Sequence, residues 1–180
     1  AQEPMLVGKA IDVLNALDCT PVVYYAPSGR ALLSGGFLPQ AKTIAENAVR
    51  GLQHVLQDLG DVPILGLEAS AVLSAVDEYT RLLDGSELEW IKAHKFQTID
   101  HYLASYLTTI EAPQQKFNSY KEAILLHVHC HQKSLENAGD TAYVLQLLLG
   151  AKVNRVKSSC CGMAGGYGMK KENYEMSTKM

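Results

Sequence analysis

Residues 39–59 carry an unbroken helical period that organises the rest of the chain. Ala41, Ile44, Ala45, Ala48, Val49, Leu52, Val55, Leu56 and Leu59 recur at i, i+3, i+4, i+7 spacing, which predicts one long amphipathic helix. Pro39 is placed to start it and Gly60 to stop it. On either side lie β-rich runs, "TPVVYYAP" (20–27) and "VPILGL" (62–67). A long helix between two strands is the repeating unit of an α/β fold.

The same alternation continues along the chain. A first helix is expected from Pro4 to Leu17, with Leu6, Val7, Ala10, Ile11, Val13, Leu14 and Leu17 on its apolar side. After "TPVVYYAP" a glycine-rich loop, "SGRALLSGGFLP", leads to the long helix. After "VPILGL" comes "EAS", feeding a helix over 71–83, and residues 84–113 read as mostly helical. "EAPQQKFNSY" is polar and turn-prone and reads as a connection. "AILLHVHCHQK" is a second buried-strand signal, followed by a helix capped at Asp140 or Thr141 and ended by Gly150. "KVNRVK" (152–157) is a further strand, and a last helix is expected within 170–180. The fold class read from this order is α/β, built from two related strand–helix units with largely parallel sheets.

The units are 1–112 and 121–180, both within one 1–180 domain. Gly29 and Gly162 hold equivalent places in them. By this parallel the first unit lacks its opening strand and the second its final strand. The chain, which does not open on Met, is expected to be a piece of a longer polypeptide with units cut at both ends.

Sixteen Lys+Arg against nineteen Asp+Glu give a net charge of −3 with no basic block, which argues against nucleic acid or an anionic membrane as the main partner. No apolar run reaches the roughly 18 residues of a spanning helix, and no signal-peptide pattern opens the chain. The four cysteines, Cys19, Cys130, Cys160 and Cys161, read as reduced thiols in a cytoplasmic setting. An adjacent pair such as Cys160–Cys161 is poorly placed to form a disulfide, which needs Cα atoms about 4.4–6.8 Å apart.

The chemistry concentrates in two stretches. In "LHVHCHQK", Cys130 stands between His129 and His131, with His127 two residues before His129; in "KSSCCGMAGGYGM", the vicinal cysteines precede Gly162, Gly165, Gly166 and Gly168. Both follow expected strands, and the carboxyl ends of parallel strands share one edge where ligand sites form. Thiolates gathered there, near a helix start, suit zinc or an iron–sulfur cluster. Were the strand to continue, His127, His129 and His131 would point one way and Val128 and Cys130 the other. His129 and His131 are open to three roles: zinc ligand, partner beside a cluster, or packing residue. Buried small hydrophobes remain the alternative for the cysteines. The glycines match neither a phosphate loop nor G-x-G-x-x-G, and fit close backbone packing or left-handed turns. No Ser–His–Asp or Cys–His nucleophile arrangement is specified by local sequence. Asp77–Glu78 reads as a solvated helix face, Glu68 as a cap or ion-pair partner, and Cys19 as packing.

"HVHCHQKSL" with "SSCCGMAGGYGM" and "NYEMSTKM" resembles the cysteine-rich CCG domain of iron–sulfur oxidoreductases. It is most similar to the C-terminal region of FAD-linked oxidases of the D-lactate dehydrogenase type. The iron–sulfur protein of glycolate oxidase and the B subunit of heterodisulfide reductase are relatives. The likeness extends over "SGGFLPQAK" and "LGLEASAVLSAVDEYTRLL". It implies an electron-transfer domain of a larger FAD- and iron–sulfur-dependent 2-hydroxyacid dehydrogenase (D-lactate- or glycolate-like). Cys130, Cys160 and Cys161 would be metal ligands of a 4Fe–4S-type cluster, with Gly162 in the cofactor-binding loop and a further cysteine after Met180. FAD would belong to the parent protein and not to this domain. The implied partners are flavin and ferredoxin-type domains and an electron acceptor. The implied location is cytoplasmic, or peripheral at the inner face of the membrane. The first unit departs from the pattern: Pro27-Ser28-Gly29-Arg30-Ala31 replaces CCGRP, and Glu68-Ala69-Ser70-Ala71 replaces EPSC. Neither of these loops therefore offers a thiolate. A structural or docking module, with a zinc-binding or metal-free cysteine site, is the alternative expectation.

Overall fold

The computed structural model describes residues 4–135, 138–157 and 161–180. Helix α1 (Pro4–Ala16) opens it, and the short α2 (Arg30–Gly35) precedes α3 (Leu38–Leu59). Pro39 sits in the first turn of α3, and the N–H of Gly60 closes it onto Leu56 O, as its period and punctuation predict. Strand β1 (Ile64–Gly66) leads into α4 (Ala69–Leu73), a π-helical turn (Ser74–Glu78) and α5 (Tyr79–Leu82). Then come α6 (Gly85–Ala93), β2 (Phe96–Thr98) and α7 (Ile99–Tyr106). Beyond the connection stand β3 (Ala123–Leu126), α8 (Cys130–Ser134), α9 (Asp140–Leu149), β4 (Lys152–Arg155) and α10 (Tyr174–Thr178).

Among the described residues the strands form two separate parallel pairs. Ile64, Leu65 and Gly66 of β1 face Phe96, Gln97 and Thr98 of β2. Ala123 through Leu126 of β3 face Lys152 through Arg155 of β4. The fold is thus a small α/β arrangement with two short parallel sheets, as the alternation predicts.

Three local expectations need correction. "TPVVYYAP" forms no strand: residues 20–27 have no ladder partner among the described residues, and Val22, Val23 and Tyr25 are 58%, 59% and 73% exposed. A β-rich composition cannot make a strand without a neighbour to bond. The following loop is not wholly irregular, since Arg30–Gly35 winds into α2, with Gly29 before it at φ +64°. The helical reading of 84–113 misses β2, whose three residues are too few to display a period of two.

Among the described residues two hydrophobic clusters hold the elements together. Leu14 and Leu17 of the first helix region meet Leu103 and Leu107 around α7 and Val144 and Leu148 of α9. Ala45 and Val49 of α3 pack with Ala75, Tyr79, Leu83 and Ile91. Between them α4 is seated against α8, which brings the loops after β1 and β3 together.

Candidate functional site at the start of helix α8

Strand β3 ends at Leu126, so the strand alternation does not govern the histidines beyond it. Val128 is buried and anchors the turn, while His127 is exposed. His129 occupies the cap position of α8, and its Nδ1 accepts a hydrogen bond from the backbone N–H of His131 at 3.2 Å. That cap reverses the chain tightly and sets Cys130 and His131 in the first turn. As a result Cys130 Sγ and one ring nitrogen each of His129 and His131 lie within 4.8 Å of one another. The rings of His129 and His131 have centroids 4.9 Å apart. Cys130 and His131 are half-buried and His129 is exposed.

The floor under this turn comes from the thiol-free loops. Arg30 extends from the start of α2 and pairs through Nη1 with Glu78 Oε1, both side chains about one quarter exposed. Its Nη2 reaches His131 Nε2 at 3.4 Å. Tyr79, beside Glu78, donates its hydroxyl to Ser28 O at 2.9 Å and so pins the loop that carries Arg30. Two buried atoms, Glu78 Oε2 and His131 Nδ1, have no hydrogen-bond partner among the described residues. Burial holds the His131 ring below the usual imidazole range, reinforced by the Arg30 and His129 charges and opposed by Glu68.

Glu78 therefore corrects the reading of Asp77–Glu78 as a solvated face. Asp77 does lie outward and pairs with Arg81 at 2.7 Å, whereas Glu78 turns inward to Arg30. Sequence reasoning missed the Arg30–Glu78–His131 chain because Glu78 and His131 lie 48 and 101 residues from Arg30. The signal available is that Arg30 keeps the arginine of the CCGRP pattern in a loop that has lost both cysteines. Glu68 takes the N-cap position of α4 and accepts from Ser70 Oγ.

Cys161 is a free, exposed thiol after β4, and Cys160 lies outside the described residues. Leu126 and Arg155 are register partners, and Val156 N–H extends the pairing to Leu126 O at 2.9 Å. The loops bearing Cys130 and Cys161 thus leave one sheet at the same edge, although Cys161 is not part of the group around Cys130. Gly162 is buried at φ +82°, and a Cβ there would overlap Ser177 O, which the chain brings close as Ser177 Oγ donates to Gly162 O at 2.9 Å. Close packing accounts for this glycine. Cys19 is half-buried beside the first core cluster and stands apart from the histidines. The cleft of about 560 Å³ between α4, α6 and β2 is lined by residues such as Val72, Ile91, Phe96 and His101 and by none of the described cysteines.

Among the described residues no helix is long and apolar enough to cross a membrane. No family model and no solved structure matches the chain. Curated proteins do match. The C subunit of anaerobic glycerol-3-phosphate dehydrogenase of Escherichia coli (strain K12) is 28% identical over 180 residues, 97% of this chain and 43% of that protein. D-2-hydroxyglutarate dehydrogenase of Pantoea ananatis is 28% identical over 177 residues, 97% of this chain and 16% of that protein. Its counterpart in Haemophilus influenzae is 28% identical over 165 residues, 87% of this chain and 15% of that protein. The chain spans less than half the length of these relatives. Across almost its whole length it is a homologue of dehydrogenase polypeptides, in agreement with the oxidoreductase resemblance of its two cysteine motifs.

Proposed function

We propose that the chain is the electron-transfer, iron–sulfur part of a larger FAD- and iron–sulfur-dependent dehydrogenase acting on a 2-hydroxyacid. One observation carries the reading: a half-buried thiol, Cys130, is held between two imidazoles at the carboxyl edge of a parallel sheet, in a homologue of dehydrogenases. The donor set fits a thiolate-held group, because two free thiols, Cys130 and Cys161, follow neighbouring strands of that sheet. Cys130, Cys160 and Cys161 are the ligands in this reading, with a further cysteine supplied from beyond Met180. Gly162 lets the loop carrying the pair pack tightly on the last helix. When bound, the cluster supplies one-electron transfer. The three cysteines would hold it, and Arg30, paired with Glu78 and in contact with His131, would place a cation near the turn that carries Cys130.

The reading divides the chain into a first unit, 1–112, whose loops lack thiols, and a ligand-bearing unit, 121–180. Two matching parallel strand pairs support this, as do the positive φ angles of Gly29 and Gly162. Flavin and ferredoxin-type domains are the partners it calls for, in the cytoplasm or at the inner face of the membrane. The relatives widen the substrate class to secondary alcohols bearing a carboxylate or phosphate.

Iron and acid-labile sulfide analysis with EPR on the full-length protein tests the proposal. Iron beyond that of the ferredoxin-type clusters is expected, together with an EPR signal that Cys130→Ser abolishes. Zinc in its place, colourless and redox-silent, or no metal at Cys130, overturns it. A structural role for the first unit has its own support, since the Arg30–Glu78 pair and the Tyr79–Ser28 bond close the loop where the family pattern has cysteines. Were the whole domain structural, Cys130→Ser would leave turnover intact while deletion of the domain would not.

A further inference from the structure

The imidazole of His131 is held at one nitrogen and open at the other. A guanidinium has five N–H donors and no acceptor. The contact between Arg30 Nη2 and His131 Nε2 at 3.4 Å is therefore made with Nε2 accepting. A neutral imidazole whose Nε2 accepts carries its proton on Nδ1. Arg30 is not free to swing away, because its Nη1 is engaged by Glu78 and its loop by the Tyr79–Ser28 bond. The remaining nitrogen, Nδ1, is buried with no hydrogen-bond partner among the described residues. A buried N–H without an acceptor costs about 1–3 kcal/mol, so a site that keeps one has an acceptor to offer it. The ring lies beside Cys130, within the 4.8 Å group.

From this geometry we infer that Arg30, anchored by Glu78, locks His131 as the Nδ1–H tautomer and makes it a hydrogen-bond donor to the sulfur-bound group at Cys130. His131 is then a positioning residue and not a metal ligand: its Nε2 lone pair is taken and its Nδ1 is protonated. By the same logic His129, whose Nδ1 accepts from His131 N–H at 3.2 Å, has its lone pair engaged, so of the three neighbouring donors Cys130 is the one left for a metal. The consequence is electronic. N–H donors to cluster sulfur stabilise the reduced, more negative state and raise the potential. The first unit thereby tunes the ligand-bearing second unit through the Arg30–His131 contact. This inference rests on the iron–sulfur reading for the identity of the acceptor, and on the geometry alone for the tautomer.

The two parts are tested separately. The full-length protein is labelled with 15N-histidine, and the His131 signals are assigned by their loss in His131→Gln. Long-range 1H–15N correlation is expected to place the proton on Nδ1; a proton on Nε2 overturns the inference. Arg30→Lys is expected to preserve that tautomer, since an ammonium also only donates. Arg30→Met is expected to release it to a mixture, with far-UV circular dichroism unchanged. A tautomer indifferent to Arg30→Met removes Arg30 from the account. In the cluster-loaded protein, redox titration followed by EPR compares His131→Gln, which keeps an N–H, with His131→Leu, which lacks one. The Leu variant is expected to have a more negative midpoint than wild type at equal iron content, and the Gln variant to stay near it. Equal midpoints in both variants overturn the hydrogen bond to sulfur. Absence of iron from the wild-type protein sinks the cluster reading and with it the sulfur acceptor, while the tautomer result stands on its own.

Discussion

Tyr79 ties the thiol-free loop to the core. Its ring is buried against Ala45 and Val49 while its hydroxyl reaches Ser28 O at 2.9 Å. Burial pushes that hydroxyl up to about 12, because the phenolate would be stranded in an apolar pocket. A folded-state value above the unfolded value, about 10, means the folded protein holds the proton more tightly. The stabilisation is fully present below about pH 10 and is lost as pH rises through about 12. Tyr79→Phe is expected to cost about 1 kcal/mol at neutral pH. It should also flatten the decline of stability above about pH 10, read by urea denaturation at a series of pH values. A variant whose alkaline decline matches wild type would show that another group is responsible. At this scale the cysteine and glycine motifs were legible, since residue type carries their chemistry. Arg30 and Glu78 were not, because an inward turn of Glu78 depends on where a distant loop arrives.

Among elements, α3 was the most legible and residues 20–27 the least. The difference is physical: a helix satisfies its own backbone along one stretch of sequence, whereas a strand depends on a partner that local sequence does not name. The same limit hid the network that fixes α8. Asp100 of α7 accepts from both Gln132 Nε2 and Thr141 Oγ1, and Gln132 also reaches Thr141 at 2.8 Å. Next to it, His101 Nδ1 meets Asp140 Oδ2 at 2.7 Å. One turn of α7 thus staples α8 and α9, and Gln132 makes the link two residues beyond Cys130. Asp100→Ala removes the shared acceptor and is expected to cost about 1–3 kcal/mol. Its sharper effect is local: α8 should open more often, and Cys130 should react with iodoacetamide several-fold faster by mass spectrometry. Cys161, already exposed, supplies the control and should react at the wild-type rate. Unchanged labelling of Cys130 would mean that Val128 and the His129 cap hold the turn unaided.

For the whole molecule the question is whether the two stretches named by sequence, 1–112 and 121–180, melt as one body or as two. Leu17 is fully buried, and its cluster draws Leu14 from the first stretch, Leu103 and Leu107 from its end, and Val144 and Leu148 from the second. Tyr106 adds a hydroxyl bond to Leu17 O at 3.2 Å. A core built from both stretches makes neither complete alone, so one cooperative transition is expected. The single tryptophan, Trp90, reports on the other cluster, against which it is packed. Leu17→Ala should destabilise the protein by about 2–5 kcal/mol, the usual range for a leucine truncated in a packed core. The informative result is the pattern of midpoints. If the clusters are coupled, Trp90 fluorescence and far-UV circular dichroism should fall together to the same lower denaturant concentration. A Trp90 midpoint that stays at the wild-type value while the circular dichroism midpoint drops would separate the clusters. Support of α8 by the first unit would then have to run through the α4–α8, Arg30–His131 and Asp100–Gln132 contacts.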